Sequence, residues 1–404
     1  MTSHLQKAYG CDQETLGRVN KAKLENFRQR LGLLRYTEER IAKRLQISHP
    51  AVLELSSYPI YQERVAQRPD DLSLLISLFL LQNEVLREAA NATLTASVVE
   101  ELLRLGVLRQ ASTSAVAANV SLYPCSGSYF ITDHRFQPQW PTNYTAPSQP
   151  VMHLGEDSYA LAYLTPKPSK GAHVLDLCTG SGVQAILAAR RTEHVVGVDV
   201  NPRAVSFARF NAALNGVDVK ADFRCGNLYD PLDKHEDSRF DLILANPPFI
   251  PSSNSGADRL LFQDAGPTGD QIFGPILNGL LTHLKTKGMA VIISLFVDTK
   301  RSSVKKTIRR WIGSRVPVDL LLIEFYSINP EEFASWGATW RLFEDDFAAY
   351  AQRYKERLDL LRSEEILRLT HGILVVRMSN TSRFHTIRMA VPRRPQQNVI
   401  KRVI

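Results

Sequence analysis

After residue 150, short apolar runs alternate with helical patterns, and this alternation limits the possible folds more than any other feature of the sequence. The apolar runs are HVLDLCTG (173–180), HVVGVDVN (194–201), FDLILANP (240–247) and GMAVIISLF (288–296). Buried strands that alternate with helices are typical of a parallel sheet with helices on both faces. We therefore predict an α/β fold over residues 151–378, with a doubly wound, mostly parallel, Rossmann-like sheet.

The first 150 residues follow a different pattern, which predicts a separate and mainly helical domain. Helical periodicity runs from 21 to 46, a second helix starts after Asp70, and a third ends at Gly106. Residues 115–134 then alternate and break near Gly127, as in a β-hairpin. Helices followed by a two-stranded wing predict a winged-helix-like domain over 1–150. Domains of this kind bind nucleic acid, form dimers or guide substrates, and the sequence leaves these roles open.

Three further segments carry predictions about the periphery of the fold. The Pro-rich stretch 135–150 is expected to be a linker or a substrate-facing loop, and SWGATW (335–340) a mobile lid or a simple loop. The stretch EILRLTHGILVVRM (365–378) is predicted to be a strand hairpin with Gly372 in its turn. Residues 379–404 hold six Lys or Arg residues and no acid, which predicts a basic C-terminal tail.

Composition excludes several classes of protein. The four cysteines are scattered without a CxxC pair, which favours a reducing cytoplasm over secretion, and the histidines show no metal-ligand spacing. The polar N-terminus does not resemble a signal peptide, and the longest apolar run, Leu72 to Leu81, is too short to span a bilayer. We therefore expect a cytoplasmic protein with no metal and no membrane segment. The net charge of +8 is compatible with an anionic partner and equally with an ordinary basic enzyme.

Residues suited to ligand binding occur where the predicted strands end. In LDLCTGSG, Asp176 closes a strand, and Gly180 and Gly182 follow in the turn, where a ligand can approach the backbone and the next helix offers free N–H groups. Asp199 ends the second strand, where a carboxylate can accept both ribose hydroxyls of a nucleoside cofactor. At the third strand end, Asn227 and the backbone around Leu228 are candidates to meet an adenine edge.

The fourth strand ends in Asn246-Pro-Pro-Phe249, a combination that a plain turn does not require. Prolines fix φ and withhold N–H groups, so the loop is stiff and its carbonyl oxygens remain free. The side-chain oxygen of Asn246 and the carbonyl of Pro247 are placed to accept the two hydrogens of a flat –NH2 group. Phe249 is placed to stack on the conjugated plane behind that group. The motif therefore predicts a site that orients an amide or a nucleobase amine.

Three segments in this order and spacing, VLDLCTGSGVQAILAA, VVGVDVNPRAVSFARFNAALNGV and FDLILANPPF, resemble class I S-adenosylmethionine-dependent methyltransferases. The similarity is closest to the "methyltransferase small domain" group, which includes HemK-like release-factor glutamine methyltransferases and ribosomal-RNA guanine N2-methyltransferases. It is strong over residues 150–300, and VMHLGEDSYALAYL (151–164) resembles the family segment that lies over the cofactor. The resemblance implies S-adenosyl-L-methionine as the cofactor.

The resemblance also assigns roles to the residues at the strand ends. It implies that Asp176, Cys178, Gly180 and Gly182 hold the methionine part of the cofactor, Asp199 the ribose, and Asn227 and Leu228 the adenine side. Asn246, Pro247 and Phe249 are the expected catalytic residues, and Asn246 also borders the cofactor. Two positions depart from the family: Cys178 replaces the usual first glycine, a change that is tolerable if this residue keeps φ below zero, and Asn227 replaces a common aspartate.

These features predict an N-methyltransferase that uses S-adenosylmethionine and acts on a planar –NH2 group. The favoured substrate is a Gln or Asn side-chain amide of a protein or peptide; the alternatives are a nucleobase amine of RNA or DNA and a small molecule. A binding protein that has lost the chemistry and a nicotinamide-dependent oxidoreductase are the competing classes. The intact NPPF motif opposes the first of these, and the missing third loop glycine opposes the second. The sequence is compatible with a monomer and with a homodimer.

Overall fold

The N-terminal part of the chain is mainly helical. The computed structural model describes residues 16, 19–135, 147, 149–232, 239–252, 261–313, 316–338, 347–396 and 398–403. The N-terminal helices are α1 (Lys21–Leu33), α2 (Glu38–Leu45), α3 (Tyr58–Ala66), α4 (Asp71–Phe79), α5 (Arg87–Leu94) and α6 (Ala96–Arg104), with 3-10 turns at Pro50–Val52 and Leu55–Ser57. Side-chain oxygens of Asn20, Thr37 and Asp70 accept hydrogen bonds from the first turns of α1, α2 and α4. These caps satisfy N–H groups that a helix start leaves free.

Two small antiparallel sheets accompany these helices. Their strands are β1 (Val85–Leu86), β2 (Leu108–Gln110), β3 (Ala115–Ala118), β4 (Ser121–Cys125) and β5 (Ser128–Thr132). Strands β1, β3 and β2 form one sheet, and because α5 and α6 lie between β1 and β2, the order of elements is that of a winged helix. The predicted hairpin exists as β4–β5, but its interpretation as the wing is wrong, since the wing is β2–β3. The turn at 111–114 that closes the wing lies before the stretch whose alternation was interpreted.

The larger sheet contains eight strands. These are β6 (His173–Leu177), β7 (His194–Asp199), β8 (Ala221–Cys225), β9 (Phe240–Ala245), β10 (Leu284–Thr299), β11 (Val318–Ile328), β12 (Ile366–Met378) and β13 (Phe384–Arg388). Their order across the sheet is β13-β11-β12-β10-β9-β6-β7-β8, and β12 runs antiparallel to both of its neighbours. The other pairings are parallel, so the prediction of a doubly wound, mostly parallel sheet is confirmed.

Helices cover both faces of this sheet. They are α7 (Glu156–Leu164), α8 (Val183–Ala189), α9 (Pro202–Leu214), α10 (Phe273–His283), α11 (Val304–Ile312), α12 (Pro330–Ala338), α13 (Phe347–Ser363) and α14 (Asn398–Val403). Alternate residues of one strand enter two different cores: Leu242 and Leu244 pack with α8, α9 and the N-terminal helices, whereas Ile243 packs with α10 and α11. This period of two is the geometry of a strand buried on both faces.

Hairpin β4–β5 is attached to the large sheet's helices through two asparagines, Asn211 in α9 and Asn215 just after its end. The amide of Asn211 accepts from the backbone N–H of Ile131 and donates to its carbonyl, and Asn215 does the same with Tyr129. These four bonds measure 2.7–3.0 Å, and both asparagines are buried. The two amides therefore take the place that a neighbouring strand would have beside β5.

Gly372 lies in the middle of β12, so the predicted hairpin with a turn at this residue is wrong. The strand runs unbroken for 13 residues, and Gly372 pairs with Ser294 on one side and Glu324 on the other. A Cβ atom at this position would lie 2.2 Å from the carbonyl oxygen of Ile323. Glycine inside a strand often marks a place where another backbone approaches closely, and this is the case at Gly372.

The segment predicted as a basic tail is partly built into the fold, so its description as a separate tail is wrong. Strand β13 forms the edge of the large sheet beside β11, and three arginines of the segment form ion pairs: Arg383 with Asp319, Arg388 with Glu324, and Arg393 with Glu156. The lid or loop expected at SWGATW is also wrong up to residue 338, which ends helix α12, and residues 339–340 lie outside the described part. Most of the predicted linker, 136–146 and 148, lies outside it as well.

Candidate active site

The loop after β6 is organised around the carboxylate of Asp176. Its Oδ2 accepts hydrogen bonds from Oγ1 of Thr179 at 2.6 Å and from the backbone N–H of Ala185 at 3.0 Å. Burial raises the pKa of Asp176 to about 7, and the two hydrogen bonds act against that rise. Asp176 therefore connects the turn to the first residues of α8, a structural role that the sequence does not reveal.

Left-handed backbone is concentrated at this edge of the sheet. Gly180 and Gly182 have φ of +54° and +83°, as tight turns require, and Cys178 has φ +55° and Leu228 has φ +49°. The condition of a φ below zero at Cys178 is therefore not met, because the turn needs the left-handed conformation that glycine adopts freely. Such a conformation costs a residue with a side chain about 1–2 kcal/mol, and strain of this kind is frequent at functional sites.

Asp199 lies at the end of β7 and connects two neighbouring loops. Its Oδ2 accepts from the backbone N–H of Gly180 at 2.8 Å, and its Oδ1 accepts from that of Asn201 at 2.9 Å. Burial raises its pKa. A carboxylate has about four lone-pair positions, so Asp199 retains acceptor capacity for hydroxyl groups of a ligand.

Most of the residues predicted to hold the cofactor line one cavity of about 180 Å3. They are Asp176, Cys178, Gly180, Asp199, Asn227, Leu228 and Asn246. A Cβ atom added at Gly180 would meet no atom within 4 Å, so the turn leaves free space at that point. Gly182 does not line the cavity; a Cβ there would lie 3.0 Å from Ala208, and its glycine serves the close packing of α8 on α9.

Asn246 follows β9, and its side chain is held in one orientation. Its Nδ2 donates to Oδ2 of Asp157 at 2.9 Å, an interaction that joins the NPPF loop to the first turn of α7. No partner is found among the described residues for Oδ1 of Asn246. Phe249 lies two residues beyond Pro247 and packs beside His371, with ring centroids 5.9 Å apart and tilted by 46°.

A second cavity of about 670 Å3 adjoins the first and meets it at Asn246. Both cavities are also lined by Met152, His153 and Phe262. Pro247 and Phe249 line only the second cavity, whose walls include the 3-10 turn at Pro50–Val52, the end of β11 and His371 in the middle of β12. The described carboxylates on its walls are Glu54, Glu156, Asp157 and Glu332. Arg135 also lines it, and its guanidinium donates to the carbonyls of Ala51 and Leu53.

Two functional candidates were not found from the sequence. Asp157 stands in the segment VMHLGEDSYALAYL, and the acidic pair at the start of α7 was the available signal. His371 was interpreted as part of a hairpin, so nothing pointed to it. It is 5% exposed, it lines the second cavity, and its Nδ1 has no hydrogen-bond partner among the described residues.

The described part of the chain shows neither a metal-binding cluster nor a membrane-spanning helix. No group of three or more His, Cys, Asp or Glu side chains there is arranged to hold a metal ion. None of the helices described has both the length and the apolarity needed to cross a bilayer.

Comparison with known families agrees with this geometry. Residues 168–311 match the family described as "Methyltransferase domain", a range that runs from the start of β6 to α11. Residues 34–119 match a "Domain of unknown function (DUF7059)", which covers α2 to β3 and so includes the winged helix. The first match defines the class of protein to which the large sheet and its first cavity belong.

Three curated relatives narrow the class. The chain is 35% identical over 146 residues to a ribosomal protein uL3 glutamine methyltransferase of Bradyrhizobium diazoefficiens, covering 34% of this chain and 44% of that protein. It is 31% identical over 141 residues to a proposed protein N5-glutamine methyltransferase of Methanocaldococcus jannaschii, covering 34% and 68%. It is 33% identical over 116 residues to a tRNA1(Val) (adenine(37)-N6)-methyltransferase of Porphyromonas gingivalis, covering 27% and 46%.

The protein is a class I methyltransferase. More narrowly, it belongs to the HemK-like group of S-adenosylmethionine-dependent methyltransferases. The chain spans less than half the length of two of the three relatives. S-adenosyl-L-methionine is the cofactor of this class. The free space at Gly180 and the acceptor capacity of Asp199 fit a nucleoside with a methionine chain.

We expect Asp199→Ala to weaken S-adenosylmethionine binding at least tenfold. The sequence predicts that Asp199 holds the ribose, and hydrogen bonds to a charged acceptor are worth about 1.5–3 kcal/mol each. Calorimetry with the folded variant measures the affinity. Asp218→Ala, which removes an outer carboxylate paired with Lys21, is the matched control. Unchanged affinity for Asp199→Ala would remove Asp199 from the cofactor site.

The burial of His371 leads to a second prediction, which concerns how the free energy of unfolding depends on pH. Burial lowers the pKa of His371 from 6.5 to about 4, so the unfolded chain binds a proton there between these pH values and the folded chain does not. Its contribution to stability is complete above pH 6.5 and is lost as the pH falls towards 4. The loss amounts to about 3 kcal/mol.

We therefore expect His371→Leu to lose less stability than the parent protein between pH 7 and pH 4. Urea unfolding at several pH values measures the difference. His385→Leu, at an exposed histidine of β13, serves as the control and should follow the parent curve. Parallel curves for His371→Leu and the parent would contradict the burial argument.

Proposed function

We propose that the protein transfers a methyl group from S-adenosylmethionine to the nitrogen of a planar –NH2 group. The observation that carries the proposal is the state of Asn246, which stands where the two cavities meet. Its Nδ2 is occupied by Asp157, so its Oδ1 is the atom left to accept a hydrogen bond from a ligand. A substrate –NH2 group that occupies the second cavity and contacts Oδ1 of Asn246 therefore lies next to the first cavity, where the cofactor is expected.

The chemistry asked of the protein is orientation. Bound S-adenosylmethionine supplies an electrophilic methyl group on a sulfonium, which suits direct in-line displacement. Oδ1 of Asn246 and the carbonyl of Pro247 accept the two hydrogens of the –NH2 group, and Phe249 packs on its plane. These acceptors become stronger partners as positive charge develops on the nitrogen, so they favour the transition state over the ground state. Correct positioning of two reactants contributes about 7–11 kcal/mol to lowering a barrier.

The favoured substrate is a glutamine or asparagine side-chain amide of a protein or peptide. Two of the relatives are named as glutamine methyltransferases, of ribosomal protein uL3 and of proteins. The charge of the second cavity gives independent support, because the described carboxylates on its walls outnumber the described arginine. Like charges repel, and such walls disfavour the phosphates of a nucleic acid.

A nucleobase amine of RNA is the alternative substrate. The tRNA adenine methyltransferase among the relatives supports it, since an exocyclic amine is planar and fits the same two acceptors. The basic residues 379–404 were the sequence feature that favoured a phosphate contact. Three of their arginines are engaged with acids of the protein itself, which reduces the number available to a nucleic acid.

Labelled-methyl transfer from S-adenosylmethionine into cell extract tests the proposal. We expect the label to enter macromolecules, to be released by protease and to resist nuclease. Asn246→Ala serves as the control for background transfer. Label that nuclease releases would establish the nucleobase alternative, and label confined to small molecules or absent from every fraction would contradict both readings.

A further inference from the structure

Asp157 is the second residue of α7, and its carboxylate is turned towards the NPPF loop. Oδ2 accepts from Nδ2 of Asn246 at 2.9 Å. Oδ1 lies over the backbone of Gly155, where an added Cβ would be only 2.6 Å away. The glycine before the acidic pair therefore leaves the space in which this carboxylate sits. Asp157 lines the second cavity and not the first.

The pairing has a direction that follows from the chemistry of the two groups. An ionised carboxylate only accepts hydrogen bonds, and within a primary amide only the nitrogen donates. The Asp157 carboxylate therefore selects one of the two flip states of the Asn246 amide, the state in which Oδ1 points away from Asp157. In the opposite state the asparagine would present its own NH2 hydrogens to the –NH2 group of a substrate, and no hydrogen bond could form.

The carboxylate is suited to this task in its charged form. Burial raises the pKa of Asp157, and hydrogen bonds from Asn246 and from backbone groups at Asp157 and Ser158 act against the rise. The first turn of a helix also favours a negative charge. Its neighbour Glu156 is engaged elsewhere, with Arg393, so Asp157 is the carboxylate of this turn that serves the loop.

We propose that Asp157 is a positioning residue that fixes the amide of Asn246 with Oδ1 towards the substrate nitrogen. The inference rests on the proposed acceptor role of Asn246 and adds the residue that makes the role possible. Asp157 touches neither reacting atom. Its effect passes through the orientation of one amide, so it belongs to the turnover step and leaves cofactor binding unaltered.

Kinetics of Asp157→Ala and Asp157→Asn test the proposal. The asparagine variant keeps the shape of the side chain but allows both flip states of Asn246. We measure the initial rate of labelled-methyl transfer from S-adenosylmethionine into extract protein at increasing extract concentration. We expect the apparent kcat to fall at least tenfold in both variants, with KM for extract protein changed less than threefold. Cofactor affinity by calorimetry should stay within twofold, and Asp222→Asn, an exposed carboxylate paired with Arg224, should match the parent.

A double-mutant cycle separates positioning from a general structural role. If Asp157 acts through Asn246, Asp157→Ala should cost less than twofold once Asn246 is already alanine. An equal loss in both backgrounds would overturn the proposal, as would full activity of Asp157→Asn or a parallel fall in cofactor affinity. These results differ from failure of the proposed function itself, in which Asn246→Ala alone would retain activity.

Discussion

Asn246→Ala is expected to lose at least a hundredfold in methyl transfer while it binds S-adenosylmethionine nearly as well as the parent protein. A hundredfold corresponds to about 2.7 kcal/mol of transition-state stabilisation. The substitution removes Oδ1, the proposed acceptor for the substrate –NH2 group, and leaves strand β9 and both prolines in place. The melting temperature should therefore change by only a few degrees.

Turnover, cofactor affinity and melting temperature are measured on the same preparation. Asn83→Ala is the matched control, because it removes an asparagine oxygen that accepts a hydrogen bond from Gln62 and does not line either cavity. Asn246→Asp should also lose activity, since it places a second carboxylate against Asp157 and removes the donor of that pair. Activity that survives in Asn246→Ala would mean that the substrate is held elsewhere. A collapse of cofactor binding would place Asn246 in the cofactor site.

Gly372→Ala is expected to destabilise the fold by about 3 kcal/mol or more, the upper part of the range for overpacked positions. A Cβ atom would stand 2.2 Å from the carbonyl oxygen of Ile323, a backbone atom that cannot move without disturbing the pairing of β11 with β12. The pairing is already irregular there, with a register shift between Glu324 and Tyr326. A methyl group at residue 372 therefore fits only if β11 and β12 move apart at this point.

Urea unfolding of Gly372→Ala beside the parent measures the change. Gly171→Ala is the matched control, because an added Cβ there would meet no atom within 4 Å. At such a position alanine is expected to be neutral or to stabilise by about 0.4–1 kcal/mol, since it restricts the unfolded chain. Equal unfolding midpoints for Gly372→Ala and the parent would show that the two strands can separate at this point.

Two glycines, Gly180 and Gly372, show where sequence reasoning predicts the structure correctly and where it fails. At Gly180 the glycine follows a strand and precedes a helix, so local order predicted a turn correctly. At Gly372 the same residue type sits inside an apolar run, and a turn was predicted where the strand continues. The deciding contact is with Ile323, which lies far away in the chain, and no local pattern contains it.

The candidate site divides in the same way. The strand ends that carry Asp176, Asp199 and Asn246 were predicted together because parallel strands bring their carboxyl ends to one edge. The pair of Asp157 with Asn246, across 89 positions of sequence, was not predicted. Nor was the wall that the N-terminal domain adds to the second cavity, because domain packing depends on side chains that periodicity does not distinguish.

The four hydrogen bonds that join hairpin β4–β5 to Asn211 and Asn215, here called the joint at α9, depend on sequence differently on their two sides. Asn211 and Asn215 contribute side chains, whereas β5 contributes only its main chain at Tyr129 and Ile131. Every amino acid except proline offers the same N–H and carbonyl pair. Substitutions other than proline at Tyr129 and Ile131 therefore preserve these four hydrogen bonds, while a change at either asparagine removes two of them. The constraint on the hairpin sequence at this joint comes instead from packing, because the side chains of Tyr129, Phe130 and Ile131 are buried in the same core as α9.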